Sequence, residues 1–250
     1  HRTSGRRRIA VVGSGISGMS AAWLLAKAHD VTMFEAADRI GGHSHTVDFD
    51  ASGRTVSVDT GFIVYNEVTY PNLTALFRHL DVPTTASSMS FAVSLDDGGF
   101  EYSGGTGFGL FAQKSNIVSP RFWSMMRDLV RFYRNAPRDL STMSGLSLDD
   151  YLDRYHYGRA FRDDHLYPMA AAIWSMPAGK VGEYPAVNFV RFCGNHGLLE
   201  LWNRPIWRTG TGGSREYVDR LTADFRDRIR LSTPVQAIRR TGGGVEISTG

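Results

Sequence analysis

The sequence is poor in cysteine, in lysine and in long apolar runs. Its single cysteine, Cys193, excludes an internal disulfide. One cysteine in 250 residues is typical of a protein from a reducing compartment, so we expect a cytoplasmic location. No apolar stretch reaches the roughly 20 residues that a membrane-spanning helix requires. Peripheral contact with a membrane surface is left open by these features.

The chain also lacks a strong charge outside its first residues. The formal charge is +3, and Arg2, Arg6, Arg7 and Arg8 account for more than this positive excess. A basic surface for nucleic acid is therefore not indicated. These arginines and the following apolar residues also resemble a secretory signal. Export is the weaker alternative, because residues 13–18 hold three glycines and two serines and make a poor apolar segment.

A short apolar strand, Ile9–Val12, leads into glycines at the spacing GxGxxG. Gly13 allows a tight turn from the strand into a helix. Gly15 leaves room for a diphosphate against the backbone, and Gly18 lets the helix pack closely on the strand. The pattern predicts a βαβ unit that binds a dinucleotide.

The predicted cofactor-binding set includes residues that contribute mainly their backbone. Ser14, Ile16 and Ser17 belong to it because unpaired amides at the start of a helix favour an anion. Glu35 follows the second predicted strand, where a carboxylate accepts hydrogen bonds from ribose hydroxyls, and Ala36 is its neighbour in the set. An acid at this position disfavours a 2′-phosphate.

The next residues, Asp38-Arg39-Ile40-Gly41-Gly42, narrow the choice of cofactor. They resemble the xRxGG extension of the flavin amine oxidase, protoporphyrinogen oxidase and phytoene desaturase superfamily, whose members bind FAD. The resemblance implies that Arg39 reaches the diphosphate and that Gly41 and Gly42 let the chain pass close to it. His43 stands where family members often carry arginine or lysine.

Two later segments also resemble this superfamily. Asp59-Thr60-Gly61-Phe62 is similar to an acid-x-glycine segment that brings the backbone beside the flavin ring. Gly61 and Phe62 are thereby implied as neighbours of the ring. A turn glycine and a core phenylalanine are the alternative interpretation. Near the end, Thr-Pro-Val resembles the segment that rejoins the FAD domain, which implies that Val235 contacts adenine.

The expected fold is α/β, a Rossmann-type FAD-binding domain with a parallel sheet and an inserted, mostly helical α+β substrate domain. We expect the FAD-binding domain to comprise residues 1–70 and 205–250, and the substrate domain residues 71–204. Within the insertion, Ser119 and Pro120 predict the start of a helix that continues to about Asn135.

Two other groupings suggest chemistry only weakly. Cys193 and His196 are three residues apart and would share a helix face, but a buried thiol is the favoured interpretation. His43 and His45 form an HxH pair without an identifiable third ligand, so no metal site is predicted. No catalytic acid or base can be named from the sequence.

These features predict an FAD-dependent oxidoreductase that removes a hydride equivalent from an organic substrate, either an amine or an apolar, lipid-like molecule. A nicotinamide-dependent dehydrogenase is the alternative, because the same glycines and acid serve NAD. If Gly250 is the true end, a noncatalytic nucleotide-binding module is a third interpretation. By resemblance we expect a fragment of a longer chain. The oligomeric state and the electron acceptor are left open.

Overall fold

The computed structural model describes residues 5–104, 108–174, 176–201 and 204–250. The chain separates into two compact units. The first runs to Ser87 and resumes at Ile206–Gly250, and the second is Ser88–Pro205. The first unit thus extends beyond residue 70, where the sequence placed the boundary.

The first unit contains strands and helices in mixed order. Its elements are β1 (Arg8–Val12), α1 (Ile16–Ala26), β2 (Asp30–Phe34), β3 (Thr46–Ala51), β4 (Arg54–Asp59), β5 (Tyr65–Asn66), α2 (Pro71–His79) and β6 (Thr84–Ser87). After the second unit the chain continues as β9 (Trp207–Gly210), α8 (Arg215–Thr222), β10 (Ile229–Arg230), β11 (Val235–Thr241) and β12 (Gly244–Thr249).

A parallel sheet of strand order β1-β2-β10 carries the predicted βαβ unit. Strands β1 and β2 pair in register from Arg8 opposite Asp30 to Val12 opposite Phe34. Helix α1 and helix α8 contact each other beside this sheet. The core of the unit is formed by apolar residues from these elements: Met19, Ala22, Val31, Met33, Tyr65, Phe77, Tyr217, Val218, Leu221 and Phe225. The predicted α/β class with a parallel sheet is confirmed.

A second sheet explains why residues 71–87 belong to the first unit. Strand β9 lies between β5 and β6 and is antiparallel to both. The Arg208 guanidinium also donates to the Thr84 hydroxyl at 3.0 and 2.9 Å. The returning chain therefore pairs with one strand before residue 70 and one strand after it, and so ties residues 71–87 to the first unit. Two antiparallel hairpins, β3-β4 and β11-β12, complete the unit.

The second unit is mainly helical with one hairpin. Its elements are β7 (Ala92–Leu95), β8 (Phe100–Ser103), α3 (Pro120–Asn135), α4 (Leu148–Arg154), α5 (Arg159–Phe161), α6 (Tyr167–Trp174) and α7 (Ala186–Asn195). The predicted start of α3 is confirmed, since the Ser119 hydroxyl accepts a hydrogen bond from the Phe122 amide and Pro120 is the first helical residue. Among the described residues, no helix combines the length and apolar character needed to cross a bilayer.

Candidate functional site

The glycine turn joins β1 to α1 with the geometry that its residues predict. Gly13 has φ +90° and donates its amide to the Phe34 carbonyl at 2.8 Å. A Cβ on Gly18 would lie 2.0 Å from the Gly13 carbonyl oxygen, so only glycine lets the helix pack this closely. Gly13 fits the sharp turn and Gly18 the close helix–strand contact expected for them.

The same turn leaves backbone facing open space. A Cβ built on Gly13 or on Gly15 would meet no atom within 4 Å. Gly15 N-caps α1 without any side-chain hydrogen bond. Within the described part of the chain, the amides of the first helical turn therefore lack a capping side chain, which is the arrangement that binds an anion at a helix start.

A cavity of about 610 Å³ opens beside this turn, and we call it the glycine-loop cavity. It is lined by Val12, Gly13, Gly15, Ile16, Ser17, Gly18, Gly41, His43, Ser44, Phe62, Tyr70, Leu73 and Tyr217. Seven of these positions were predicted from the sequence: Gly13, Gly15, Ile16, Ser17, Gly18, Gly41 and Phe62. The lining is mostly apolar or bare backbone, as in sites that enclose a flat ring and a phosphate chain.

Ser14 and Glu35 lie behind the turn and are bonded to each other. One carboxylate oxygen of Glu35 accepts from the Ser14 amide at 2.7 Å and from its hydroxyl at 2.5 Å. The other oxygen accepts from the Ala37 amide at 2.9 Å. Partial burial opposes ionisation, but these hydrogen bonds outweigh it and hold the pKa of Glu35 below its usual value. The ionised carboxylate keeps further acceptor capacity for a ribose hydroxyl.

Arg39 holds the glycine-pair loop together. Its guanidinium donates to the Gly42 carbonyl at 2.9 Å and to the Ser44 carbonyl at 3.3 Å. It lines a separate cavity of about 540 Å³ and not the glycine-loop cavity. Its contact with a diphosphate stays a prediction, and its observed contacts fix the path of the loop.

The glycine pair itself lies against the turn. A Cβ on Gly42 would come 2.9 Å from Gly15 Cα, and the Gly41 amide donates to the Ser14 carbonyl at 3.1 Å. Both glycines have positive φ, +113° for Gly41 and +59° for Gly42. The structure thus brings the two glycine motifs into direct contact, and a side chain at Gly42 would force them apart.

Gly61 and Phe62 reach the site through the backbone of His43. The Phe62 amide donates to the His43 carbonyl at 2.9 Å, and a Cβ on Gly61 would lie 2.1 Å from that oxygen. The Phe62 ring meets the Tyr217 ring edge-on, with centroids 6.3 Å apart. His43 and Tyr217 line the cavity and were absent from the predicted set. The sequence held a signal for His43, because family members often carry arginine or lysine at this position. It held none for Tyr217, because the packing of a helix distant in sequence brings this residue to the cavity.

Asp59 ties the start of the unit to the returning chain. Its carboxylate accepts from the Ser214 amide at 2.9 Å, from the Ser214 hydroxyl at 2.8 Å and from the Thr46 hydroxyl at 2.6 Å. Ser214 precedes α8, so Asp59 supplies a carboxylate at the start of this helix. The same helix carries Tyr217, whose hydroxyl contacts Ser44 in the cavity wall. The acid of the predicted acid-x-glycine segment therefore positions one wall of the cavity.

The end of β2 meets the segment that follows β10. The Thr233 amide donates to the Glu35 carbonyl at 2.8 Å, and the Ser232 amide donates to the Ala37 carbonyl at 2.9 Å. Ala36 lies between these two contacts and is exposed. Val235 begins β11 two residues later and does not line the glycine-loop cavity. The adenine contact implied for Val235 stays a prediction.

The remaining candidate residues show no reactive arrangement. Cys193 is fully buried, and burial raises the pKa of its thiol to about 12, so it is not a thiolate at neutral pH. The ring of His196 stacks on Phe192 with centroids 4.1 Å apart. Within the described ranges, no three His, Cys, Asp or Glu side chains are grouped closely enough to hold a metal ion.

A family model described as flavin containing amine oxidoreductase matches residues 16–250. The chain belongs to this family. The superfamily resemblance inferred from Arg39, Gly41 and Gly42 is confirmed, and so is the expectation that the cofactor is a flavin.

Individual relatives cover the chain to different extents. An L-amino-acid oxidase of Pseudechis australis is 45% identical over 58 residues, or 23% of this chain and 11% of that protein. A carotenoid phi-ring synthase of Streptomyces griseus is 27% identical over 269 aligned positions, covering 96% of this chain and 49% of the synthase. Cyclohexylamine oxidase from Brevibacterium oxydans has the same fold, with a TM-score of 0.70 at 22% identity, covering 98% of this chain and 55% of that one. The chain spans about half the length of the synthase and of the oxidase.

Proposed function

We propose that the glycine-loop cavity binds FAD and that the protein is an FAD-dependent oxidoreductase acting on an amine or an apolar, lipid-like substrate. The observation that carries the proposal is the open backbone at Gly13 and Gly15, beside a helix start that no side chain caps. Both glycines line the glycine-loop cavity, so their open backbone faces a space large enough for a ligand.

The residues fit the parts of the cofactor in an ordered way. The backbone of residues 13–17 would hold the diphosphate, and Glu35 would hold the ribose through its remaining acceptor capacity. Phe62 and Tyr217 supply apolar walls of the size needed for a flat ring. Gly13, residues 15–18 and the two aromatic residues thus line one cavity, and Glu35 lies next to it through its contact with Ser14.

When bound, FAD supplies the two-electron oxidation of a substrate C–H bond, and the chain's own residues orient and shield it. The aromatic and apolar lining keeps water away from the reacting face, and the contacts of Asp59 hold α8 and its tyrosine in place. Of the residues that the structure describes, no aspartate, glutamate, lysine or arginine lines the cavity, so orientation and exclusion of water are the main contributions of this unit.

The names of two relatives support the proposed substrate class. Relatives that match nearly the whole chain include a flavin-containing amine oxidase A of Equus caballus and the carotenoid phi-ring synthase. Their names point to amine and carotenoid chemistry.

We assign Ser88–Pro205, with its mainly helical fold, as the substrate domain of this enzyme. We also propose a cytoplasmic location, because a chain with a single, free cysteine forms no internal disulfide.

The test is the absorption spectrum of the purified full-length protein, followed by titration with FAD. We expect flavin bands near ~370 and ~450 nm that remain with the protein after gel filtration. A protein that binds NAD and not FAD in the same titration, and that carries no flavin absorbance, would contradict the proposal.

A further inference from the structure

We propose that the second unit docks on an anionic lipid surface through the outer face of α3 and the segment that precedes it. We call this surface the α3 patch, and it consists of Phe108, Ile117, Val118, Trp123, Arg127 and Arg134. The proposal is independent of which substrate the enzyme oxidises. It rests on exposed apolar side chains, on their contacts with one another and on the charge beside them.

The apolar part of the patch consists of four side chains that are half exposed or more. Phe108 is 94% exposed, Val118 80%, Ile117 54% and Trp123 50%. These residues belong to one local structure, since the Trp123 indole donates to the Ile117 carbonyl at 2.8 Å. The Trp123 ring also lies 6.1 Å from that of Phe111, whose amide donates to the Phe108 carbonyl at 3.2 Å. Exposed apolar side chains held close to one another in this way mark an interaction site.

The polar part of the patch is basic. Helix α3 carries a stripe of Trp123, Met126 and Val130 together with arginines, and a groove of about 600 Å³ follows this stripe. Trp123 is half exposed, whereas Met126 and Val130 are partly buried and also pack on the core of the unit. Arg127 and Arg131 share the carboxylate of Asp128, each at 3.4 Å, and that carboxylate is completely buried. Among the described residues, no carboxylate lies within ion-pair distance of Arg134. The accessible charge along the stripe is therefore positive.

An anionic bilayer fits this combination better than a protein partner does. Interfacial helices combine aromatic and aliphatic side chains on one face with lysine and arginine beside them. The most exposed side chains, Phe108 and Val118, stand out from the surface, as residues do when they insert among lipid chains. A protein partner would have to supply a pocket for each of them. Anionic headgroups match the arginines with no further requirement on shape.

The experiment is co-sedimentation of the full-length protein with vesicles of phosphatidylcholine, with and without phosphatidylserine. We expect binding to the anionic vesicles, weakened by salt and far stronger than to phosphatidylcholine alone. R127Q and R134Q should each weaken binding about fivefold. F108S and V118S should each weaken it about tenfold or more, because each removes a side chain that would be buried in lipid.

Matched controls come from the first unit. R54Q and R240Q remove the same charge from exposed strands, and V68S removes a valine that is 78% exposed. These variants should bind vesicles as the parent does. Equal loss in the controls, equal binding to both kinds of vesicle, or no vesicle binding at all would overturn the proposal. A concentration-dependent dimer that F108S abolishes, without vesicle binding, would assign the patch to a second copy of the chain and also overturn it.

Discussion

The glycine turn of the first unit, residues 13–18, differs from a buried cluster of the second unit that consists of His165, Tyr102 and Tyr133. We call the latter the histidine cluster, and the two differ in what their polar groups bind. No side chain in the described ranges caps the first turn of α1, and Gly13 and residues 15–18 line the glycine-loop cavity. His165 is 5% exposed, and both of its ring nitrogens are hydrogen bonded to tyrosines of its own unit. Open polar groups beside a cavity indicate a site for a ligand, whereas mutually satisfied buried groups indicate a part of the scaffold.

The histidine cluster has one consistent set of proton positions. The Tyr102 hydroxyl donates to the Asp164 carbonyl at 2.9 Å, so it accepts from Nδ1 of His165 at 2.8 Å. Nε2 is then the unprotonated nitrogen and accepts from the Tyr133 hydroxyl at 3.1 Å. Burial, reinforced by the positive charge of Arg204, lowers the pKa of His165 to about 4, so the ring is neutral at pH 7.

The largest loss of stability is expected from a side chain at Gly18. A Cβ there would lie 2.0 Å from a backbone oxygen, which cannot move aside as a flexible side chain could. We expect Gly18→Ala to lower the free energy of unfolding by about 3 kcal/mol or more, measured by denaturant unfolding. Gly194→Ala is the matched control, because a Cβ at Gly194 meets nothing within 4 Å. Equal stability of the two variants would show that the close helix–strand contact is unimportant.

Acid should destabilise the second unit through His165. The unfolded chain binds a proton at a histidine pKa near 6.5, whereas the folded chain does so only near 4. Between these values the unfolded state holds more protons, so stability falls as the pH is lowered from 6.5 toward 4. The loss from this group reaches on the order of 3 kcal/mol when the pH is below 4. The measurement is the free energy of unfolding across this pH range.

The variant His165→Gln separates this histidine from the other titrating groups. It removes the ring and its proton uptake, so the fall in stability between pH 6.5 and 4 should become shallower even if the variant is less stable at every pH. Identical slopes for the variant and the parent would mean that His165 contributes no linked protonation, and that the cluster does not exclude charge.

Asp59 offers a smaller effect. Asp59→Asn keeps the shape of the side chain but removes a full charge from the start of α8. It also weakens the hydrogen bonds that residue 59 accepts from Ser214 and Thr46. We expect a loss of about 1–2 kcal/mol in the free energy of unfolding, measured with denaturant. Asp227→Asn is the control, since its side chain is 84% exposed and should change stability by less than about 0.5 kcal/mol. Equal losses of stability in the two variants would show that Asp59 does not position α8.

Local signals in the sequence predicted those elements that local physics determines. Ser119 and Pro120 begin α3 as expected, because a cap and a fixed φ act within one turn. The glycine turn was predictable for the same reason, since each glycine answers a steric demand from the adjoining strand or helix. The hydrogen bonds of the Arg39 guanidinium could not be predicted in this way. The carbonyl groups that accept them belong to the loop that Arg39 itself stabilises.

Long-range pairing accounts for what the sequence did not reveal. Strands β5 and β6 are two and four residues long and gain stability only by pairing with β9, more than a hundred residues away. Short strands without clear alternation carry no usable periodic signal. Tyr217 enters the cavity wall for a similar reason, since its helix is positioned by Asp59 from a distant hairpin.

The central claim, that a ligand occupies the open face of the glycine turn, is tested most directly at Gly15. This residue has φ −67° and room for a Cβ, so Gly15→Ala should fold normally while its methyl group intrudes on the diphosphate. Gly179→Ala, where a Cβ also meets nothing, is the matched control. The measurement is the dissociation constant for FAD of the full-length protein. We predict an increase of about tenfold or more for Gly15→Ala and none for Gly179→Ala, and equal constants for both variants and the parent would contradict the account.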